Sequence, residues 1–294
     1  MKNIIFIIFA IIINLCFSKF SYADIWPNNK IIKIIVPNTP GSGIDIAARK
    51  FASILEKQIN NPVIIENKSG AAQQIAAQHL LTLPADGTAI LFGSTSLISA
   101  SIIKESSRSF SFDIEKDFAF IFLVGSIKVN QIVSNKYFNE IRFLDYLKSK
   151  KEALYCHIGY GSFSHTLGEK YIQNNNLIGI PIPYKGTLEC ITDLLSDRVD
   201  YFFSSPLGVQ ALLEEKKLNG FYGKEFDWYG LIVSSNVKDS VIKEIEDVVK
   251  KVVESDDWKN FNLLDKENIK NSKEFEKFLK NQILEFKEIS KNLK

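Results

Sequence analysis

Three stretches of this chain place glycine and hydroxyl groups where an apolar run hands over to a segment of helical period. They are Pro37-Asn38-Thr39-Pro40-Gly41-Ser42-Gly43-Ile44-Asp45, Gly93-Ser94-Thr95-Ser96 and Gly159-Tyr160-Gly161-Ser162-Phe163-Ser164-His165. The first amides of a helix have no partner within it, and the aligned peptide dipoles put partial positive charge behind them, so such a start attracts a carboxylate or phosphate. Glycine lets the ligand come close to the backbone. None of the three stretches contains Arg or Lys, so an anion held there would be held by N–H and O–H groups. Taken singly, each also reads as an ordinary N-cap and turn. It is their repetition, after strands whose carboxyl ends would share one side of an open α/β sheet, that argues for a ligand cleft.

Other chemistry is poorly provided for. The histidines are His79, His157 and His165. Cys156 and His157 are neighbours on an expected strand and would point to opposite faces, which argues against a joint metal site with His165. A Ser162, His165, Asp193 triad lacks the Gly-x-Ser-x-Gly elbow. Gly159 and Gly161 lack the third glycine of a dinucleotide fingerprint, and Lys185-Gly186-Thr187 has the wrong order for a phosphate loop. The expectation is no catalytic residue, no metal and no cofactor.

The elements that must position these loops follow from hydrophobic periodicity. Short apolar runs at 31–36, 63–66, 89–93, 154–157, 179–183 and 201–204 alternate with helical patterns at 44–60, 74–83, 166–174 and 188–195, the rhythm of βα units. Further strands are expected at 120–125, 130–134 and 229–233, a helix at 143–150, and an almost wholly helical tail at 237–294. No low-complexity linker separates the two βα runs, so the chain is expected to pass between two lobes on short connections near 125–135 and 224–232, with lobe one formed by 24–128 and 232–294 and lobe two by 129–231.

The 294 residues carry 36 Lys plus Arg against 34 Asp plus Glu, without the basic excess of a nucleic-acid binder. Met1 to Ala23 has the order of an export signal: Lys2, the apolar run from Ile4 to Phe17, then Ser21-Tyr22-Ala23 with small residues at the two positions a signal peptidase reads. The run is shorter than the roughly 20 residues a bilayer span needs. Cleavage near Ala23 would remove Lys2 and Lys19 and leave acidic and basic residues equal. Cys156 and Cys190 then remain, either as buried thiols or as a pair in an oxidising compartment.

The sequence resembles the Bug family, the periplasmic solute-binding proteins of tripartite tricarboxylate transporters. The resemblance is carried by Ile34-Ile35-Val36-Pro37 with Pro40-Gly41-Ser42-Gly43-Ile44-Asp45, Val63 to Asn67, Pro84-Ala85-Asp86-Gly87-Thr88, Lys116-Asp117-Phe118-Ala119, Gly161-Ser162-Phe163-Ser164-His165, Pro183-Tyr184-Lys185-Gly186 and Trp228-Tyr229-Gly230-Leu231. The family has a second Gly at Ser42, Gly-Gly-Asn at Ala72-Gln73-Gln74, Ser at His157 and Asp at Ser204. Between Leu218 and Trp228 the chain is shorter than its relatives, which carry a strand and a long loop there.

The resemblance implies a two-lobed α/β protein of the type II, Venus flytrap architecture that closes on a small carboxylate and passes it to integral-membrane transporter subunits. It implies a monomer located in the periplasm. The ligand set it implies is Thr39, Gly41, Ser42 and Asp45 from lobe one, Ser94 and Thr95 from the loop after the third strand, and Gly159, Gly161, Ser162, Ser164, His165 and Ser204 from lobe two, with Asp45 better read as a helix cap. A module that presents its carboxylate to a membrane sensor kinase is the alternative.

Overall fold

The computed structural model describes residues 26–103 apart from Asn28, and 110–292. The expected export signal at 1–23 lies outside these residues. Among the described residues no helix is long and apolar enough to cross a membrane.

A mixed eight-stranded sheet runs through the whole molecule in the order β2-β1-β3-β8-β4-β7-β5-β6. Its strands are β1 (Ile32–Val36), β2 (Val63–Asn67), β3 (Ala89–Ser94), β4 (Phe118–Ser134), β5 (Ala153–His157), β6 (Gly179–Pro183), β7 (Tyr201–Ser204) and β8 (Leu218–Ser234). β1 pairs in parallel with β2 and β3, and β5 with β6 and β7, whereas β8 runs antiparallel to β3 and β4, and β4 antiparallel to β7.

The two-residue period of the strands distributes the core. At one end of the sheet Ile32, Ile34, Val36, Ile90 and Phe92 share a cluster with α1 (Gly43–Ile59) and α8 (Asp239–Glu254). On the opposite face Ile35 and Leu91 pack with α2 (Gln74–Thr82), α3 (Thr95–Ile102) and α10 (Ser272–Asn292). At the other end Ile132, Cys156 and Phe202 meet α6 (Thr187–Leu195), while Val133, Tyr155 and Tyr201 meet α4 (Glu140–Ser149). α5 (Phe163–Asn174) follows β5, the short α7 (Gln210–Glu214) precedes β8, and α9 (Asp256–Lys259) follows α8. Two packed bodies thus share one sheet. Cys156 on β5 and Cys190 on α6 are free thiols buried in one core cluster, the unpaired of the two states left open by the sequence.

Three expectations need correction. The separate strands at 120–125 and 130–134 are one strand, β4, of 17 residues, because Ser126 to Lys128 continue the ladder opposite Trp228 to Phe226. The short connection before Trp228 is likewise the first half of β8, also 17 residues. β4 is buried on both faces along most of its length and so lacks the in-and-out alternation by which a half-buried strand is recognised, whereas the first half of β8 is largely polar and half-buried. The tail is not wholly helical: between α9 and α10 the chain lies along β4, with Asp265 bridging Ser126 and Lys270 bridging Leu123, where burial of Leu264 at 6% exposure outweighs helical propensity.

Candidate functional site

The loops before α1 and α5 are built alike. In the first, the Ser42 amide donates to the Thr39 carbonyl (3.2 Å), and in the second the Ser162 amide donates to the Gly159 carbonyl (3.1 Å). Both turns need a left-handed residue before the serine, and glycine supplies it: φ is +81° at Gly41 and +76° at Gly161. Four residues on, the helix returns an acceptor to that glycine. Gly41 N–H donates to Asp45 Oδ2 at 2.9 Å and Gly161 N–H to His165 Nδ1 at 3.3 Å. Asp45 and His165 therefore hold equivalent posts, each securing its loop from behind.

Both side chains are engaged with their own surroundings. Asp45 also accepts from Arg49 Nε (2.8 Å) and Asn67 Nδ2 (2.8 Å). Burial pushes its carboxyl up, but these bonds and the Gly41 amide outweigh that and hold it below the usual range. The His165 and His157 rings lie 4.7 Å apart between centroids. Burial lowers His165 to about 4, and burial together with the neighbouring His165 lowers His157 to about 3, so both are neutral at pH 7. The Ser162, His165, Asp193 triad is not assembled: Ser162 Oγ accepts from the His165 backbone amide (3.2 Å), and Asp193 is engaged by Tyr184 and Arg198. Among the described residues no group of three or more His, Cys, Asp and Glu could hold a metal.

The loops face each other across a narrow cavity of about 50 Å³. Of the expected ligand residues Ser94, Ser164 and Ser204 line it, as do Asn38, Gln73 and Asp227, which sequence reasoning missed. Thr39, Gly41, Ser42, Asp45, Thr95, Gly159, Gly161, Ser162 and His165 are not among its lining residues. Its lining contains no Lys, Arg or His, and Asp227 is its one charged side chain.

Helix starts supply the positive potential. α1 begins at the cavity with Gly43 and Ile44, and α6 with Thr187; neither start donates to an N-cap side chain. Ser42 Oγ, in the N-cap position of α1, is buried without a partner among the described residues. At the other two starts, leading amides are already engaged. Ser162 caps α5, whose first amide, Phe163 N–H, donates across the cleft to Ser96 Oγ (3.1 Å). At α3 the Thr95 amide donates to Asp227 Oδ1 at 3.0 Å. Beside it, Gln73 Nε2 donates to Ser94 Oγ (2.7 Å) and the Ser94 amide to Gln73 Oε1 (3.1 Å). Asp227 was legible only as a lone acid among Phe226, Trp228 and Tyr229, and Gln73 had no signal beyond its departure from the Gly-Gly-Asn pattern.

The cleft walls touch. Asn38 Nδ2 donates to Thr187 Oγ1 (3.4 Å) and the Ala72 amide to the Ile158 carbonyl (3.2 Å). Glycine permits this approach: a Cβ on Gly159 would lie 2.6 Å from the Ala72 nitrogen, and one on Gly43 2.8 Å from Ser205 Oγ.

Comparisons with known proteins agree with this architecture. Residues 47–224 match the model of the tripartite tricarboxylate transporter family receptor, TctC. BugT of Bordetella pertussis is 28% identical over 178 residues, 59% of this chain and 53% of BugT. A UPF0065 protein from the tcbD-tcbE intergenic region of Pseudomonas sp. strain P51 is 25% identical over 62% of this chain and 54% of its own length. The chain thus aligns with about half the length of the curated relatives it matches. Solved structures extend the likeness over most of the chain. The periplasmic binding protein BugD superposes with a TM-score of 0.79 at 18% identity, covering 89% of this chain and 97% of BugD. MatC of Rhodopseudomonas palustris with bound malate gives 0.79 at 17% identity, covering 88% and 98%. The two bodies joined by β4 and β8 are therefore the lobes of a periplasmic binding protein fold, and this chain belongs to the TctC family of tripartite tricarboxylate transporter receptors.

Proposed function

We propose that this protein captures a small solute bearing a carboxylate in the periplasm, after cleavage near Ala23, and delivers it to a tripartite tricarboxylate-type membrane transporter. The observation that carries this reading is the pair of uncapped helix starts, α1 and α6, meeting at one cavity with the buried, unpartnered Ser42 Oγ beside them. Oriented amides with the dipoles behind them bind a carboxylate without a cationic side chain, and the cavity lining has none. Malate in MatC supports a carboxylate as the chemical class.

A cavity of about 50 Å³ holds only a few waters, so the lobes part to admit a solute and close over it. We place the crossings within β4 near Lys128 and within β8 near Asp227. Lobe one then holds the chain up to Lys128 and from Trp228 onward, since Tyr229 to Ile232 pair with β3. The protein catalyses nothing in this reading; its work is selection and closure. Calorimetric titration of the purified chain with mono-, di- and tricarboxylates tests it. Saturable binding of a carboxylate with compaction in solution scattering is expected, and binding of sugars in preference to every carboxylate would refute it.

A further inference from the structure

Asp227 is unusual for its surroundings. It projects from β8 into a cleft whose lining is otherwise hydroxyl, amide and apolar, and its Oδ1 takes the Thr95 amide at the start of α3. That start would otherwise offer a third oriented amide to an incoming anion. A carboxylate of the protein stands there instead, fixed in place by Thr95 and by the adjoining Gln73–Ser94 pair.

We infer that Asp227 sets the ligand class of the cleft, so that the solute carries an ammonium group facing Asp227 as well as a carboxylate seated on the starts of α1 and α6. This rests on the solute-binding reading above and narrows it to amino-monocarboxylates. Two observations carry it. First, on that side the Phe163 and His165 amides of α5 are taken by Ser96 and Ser162, and the Thr95 amide of α3 by Asp227, which leaves fewer donors for a second ligand carboxylate. Second, an ionised carboxylate lining a cavity without Lys, Arg or His repels a dianion and is neutralised by a cation brought in by the ligand. An ammonium can take the place of the Thr95 and Ser94 hydroxyls at Asp227 without displacing the Thr95 amide.

The groups facing Asp227 leave it as the charge that responds to pH. On β8, Glu225 is paired with Lys170, and the Tyr229 phenol is pushed far up by burial and by Asp227 itself. On β4, Ile127 lies opposite Asp227, and the exposed Lys128 sits over the Phe226 ring. α3 contributes the hydroxyls of Thr95 and Ser96. Burial, set against bonds from Thr95, Ser94 and Trp228, raises the Asp227 carboxyl to about 6. It is ionised at pH 7.5 and largely neutral at pH 5.

The test is calorimetry on wild type and Asp227→Asn with glycine, β-alanine and 4-aminobutyrate on one side and succinate and malate on the other. In wild type at pH 7.5 at least one amino acid is expected to bind about ten-fold or more tightly than either dicarboxylate, the worth of one charge-assisted hydrogen bond. Asp227→Asn should lose that preference and bind the dicarboxylates more tightly than wild type does. Lowering the pH of wild type to 5 should weaken the amino acid and strengthen the dicarboxylate, a readout that does not depend on the variant folding. Tighter dicarboxylate binding by wild type, unmoved by Asp227→Asn or by pH, overturns the assignment and leaves the carboxylate reading standing. Failure of both classes to bind overturns both.

Discussion

Gly186 and Thr39 meet across the cleft so closely that a Cβ built on Gly186 would lie 2.7 Å from both Oγ1 and Cγ2 of Thr39. Gly186 itself is extended, φ −165° and ψ 179°, a conformation open to any residue. The glycine is thus required by the opposite lobe rather than by its own backbone. Gly186→Ala should leave the fold intact, costing at most about 1 kcal/mol at the α6 cap, while propping the lobes apart. We expect solute affinity to fall about ten-fold or more, equivalent to ~1.4 kcal/mol lost from the closed state, and the free protein to be more extended in solution scattering.

The serines in the two matched loops should behave differently. Ser162 Oγ accepts from His165 N–H, so Ser162→Ala is expected to lower stability by about 1 kcal/mol, the usual worth of an N-cap. Ser42 Oγ has no partner among the described residues, so Ser42→Ala removes a buried orphan and should cost little stability. If Ser42 donates to the ligand carboxylate, its loss weakens binding by about 1.5–3 kcal/mol. Thermal unfolding and titration on the same two variants separate the roles, and a Ser42→Ala protein of unchanged affinity would remove Ser42 from the site.

Asp45 should prove structural. Its carboxylate gathers Gly41, Arg49 and Asn67, tying the first loop to the start of α1 and to the end of β2. Asp45→Ala is expected to destabilise the fold by about 1.5–3 kcal/mol, since charged partners are left without their acceptor. Because its carboxyl is depressed in the folded protein from an ordinary 3.8, the stability it provides is present above that pH and is lost as acid protonates it. Denaturant unfolding of the variant at pH 7 and pH 3 should show a smaller difference from wild type at pH 3.

Much of this was legible in the sequence, for identifiable reasons. β1, β5, β6 and β7 are short, apolar and bounded by turn residues, and the Pro-Gly-Ser-Gly and Gly-x-Gly-Ser loops announce themselves by the left-handed turn that only glycine takes easily. The family itself was readable from these motifs in their order. What escaped was set by tertiary contact. β4 is buried on both faces along most of its length, Lys128 excepted, and so shows little alternation. Leu218 to Phe226 looks too polar and too short for a strand until Ser134 to Lys128 is found opposite it. In the site, Asp227 and Gln73 matter because the fold brings them to Thr95 and Ser94, which lie 132 and 21 residues away in sequence.

The paired histidines predict an acid-sensitive lobe two. His157 and His165 drop from an ordinary 6.5 to about 3 and about 4. A base whose folded value is depressed stabilises the fold above its unfolded value, and that stability is lost as pH falls from about 6.5 toward the folded values. At about 1.4 kcal/mol per unit, acidification from pH 7 to pH 4 should cost on the order of 3 kcal/mol per histidine. Thermal unfolding across this range should show the loss, and a His157→Phe variant should show a shallower one. An unchanged slope in that variant would mean that carboxylates dominate the acid response.

β4 and β8 hold the lobes as one antiparallel ribbon, irregular in register between Phe120 and Phe122, between Leu123 and Gly125, and between Lys128 and Asn130. Neither lobe owns these strands whole: the second half of β8 pairs with β3 in one lobe and the second half of β4 with β7 in the other. The lobes should accordingly melt together, and neither should be producible alone. The bending element is also the scaffold on which both cores are laid, so a substitution in the ribbon is judged by folding before it is judged by ligand capture.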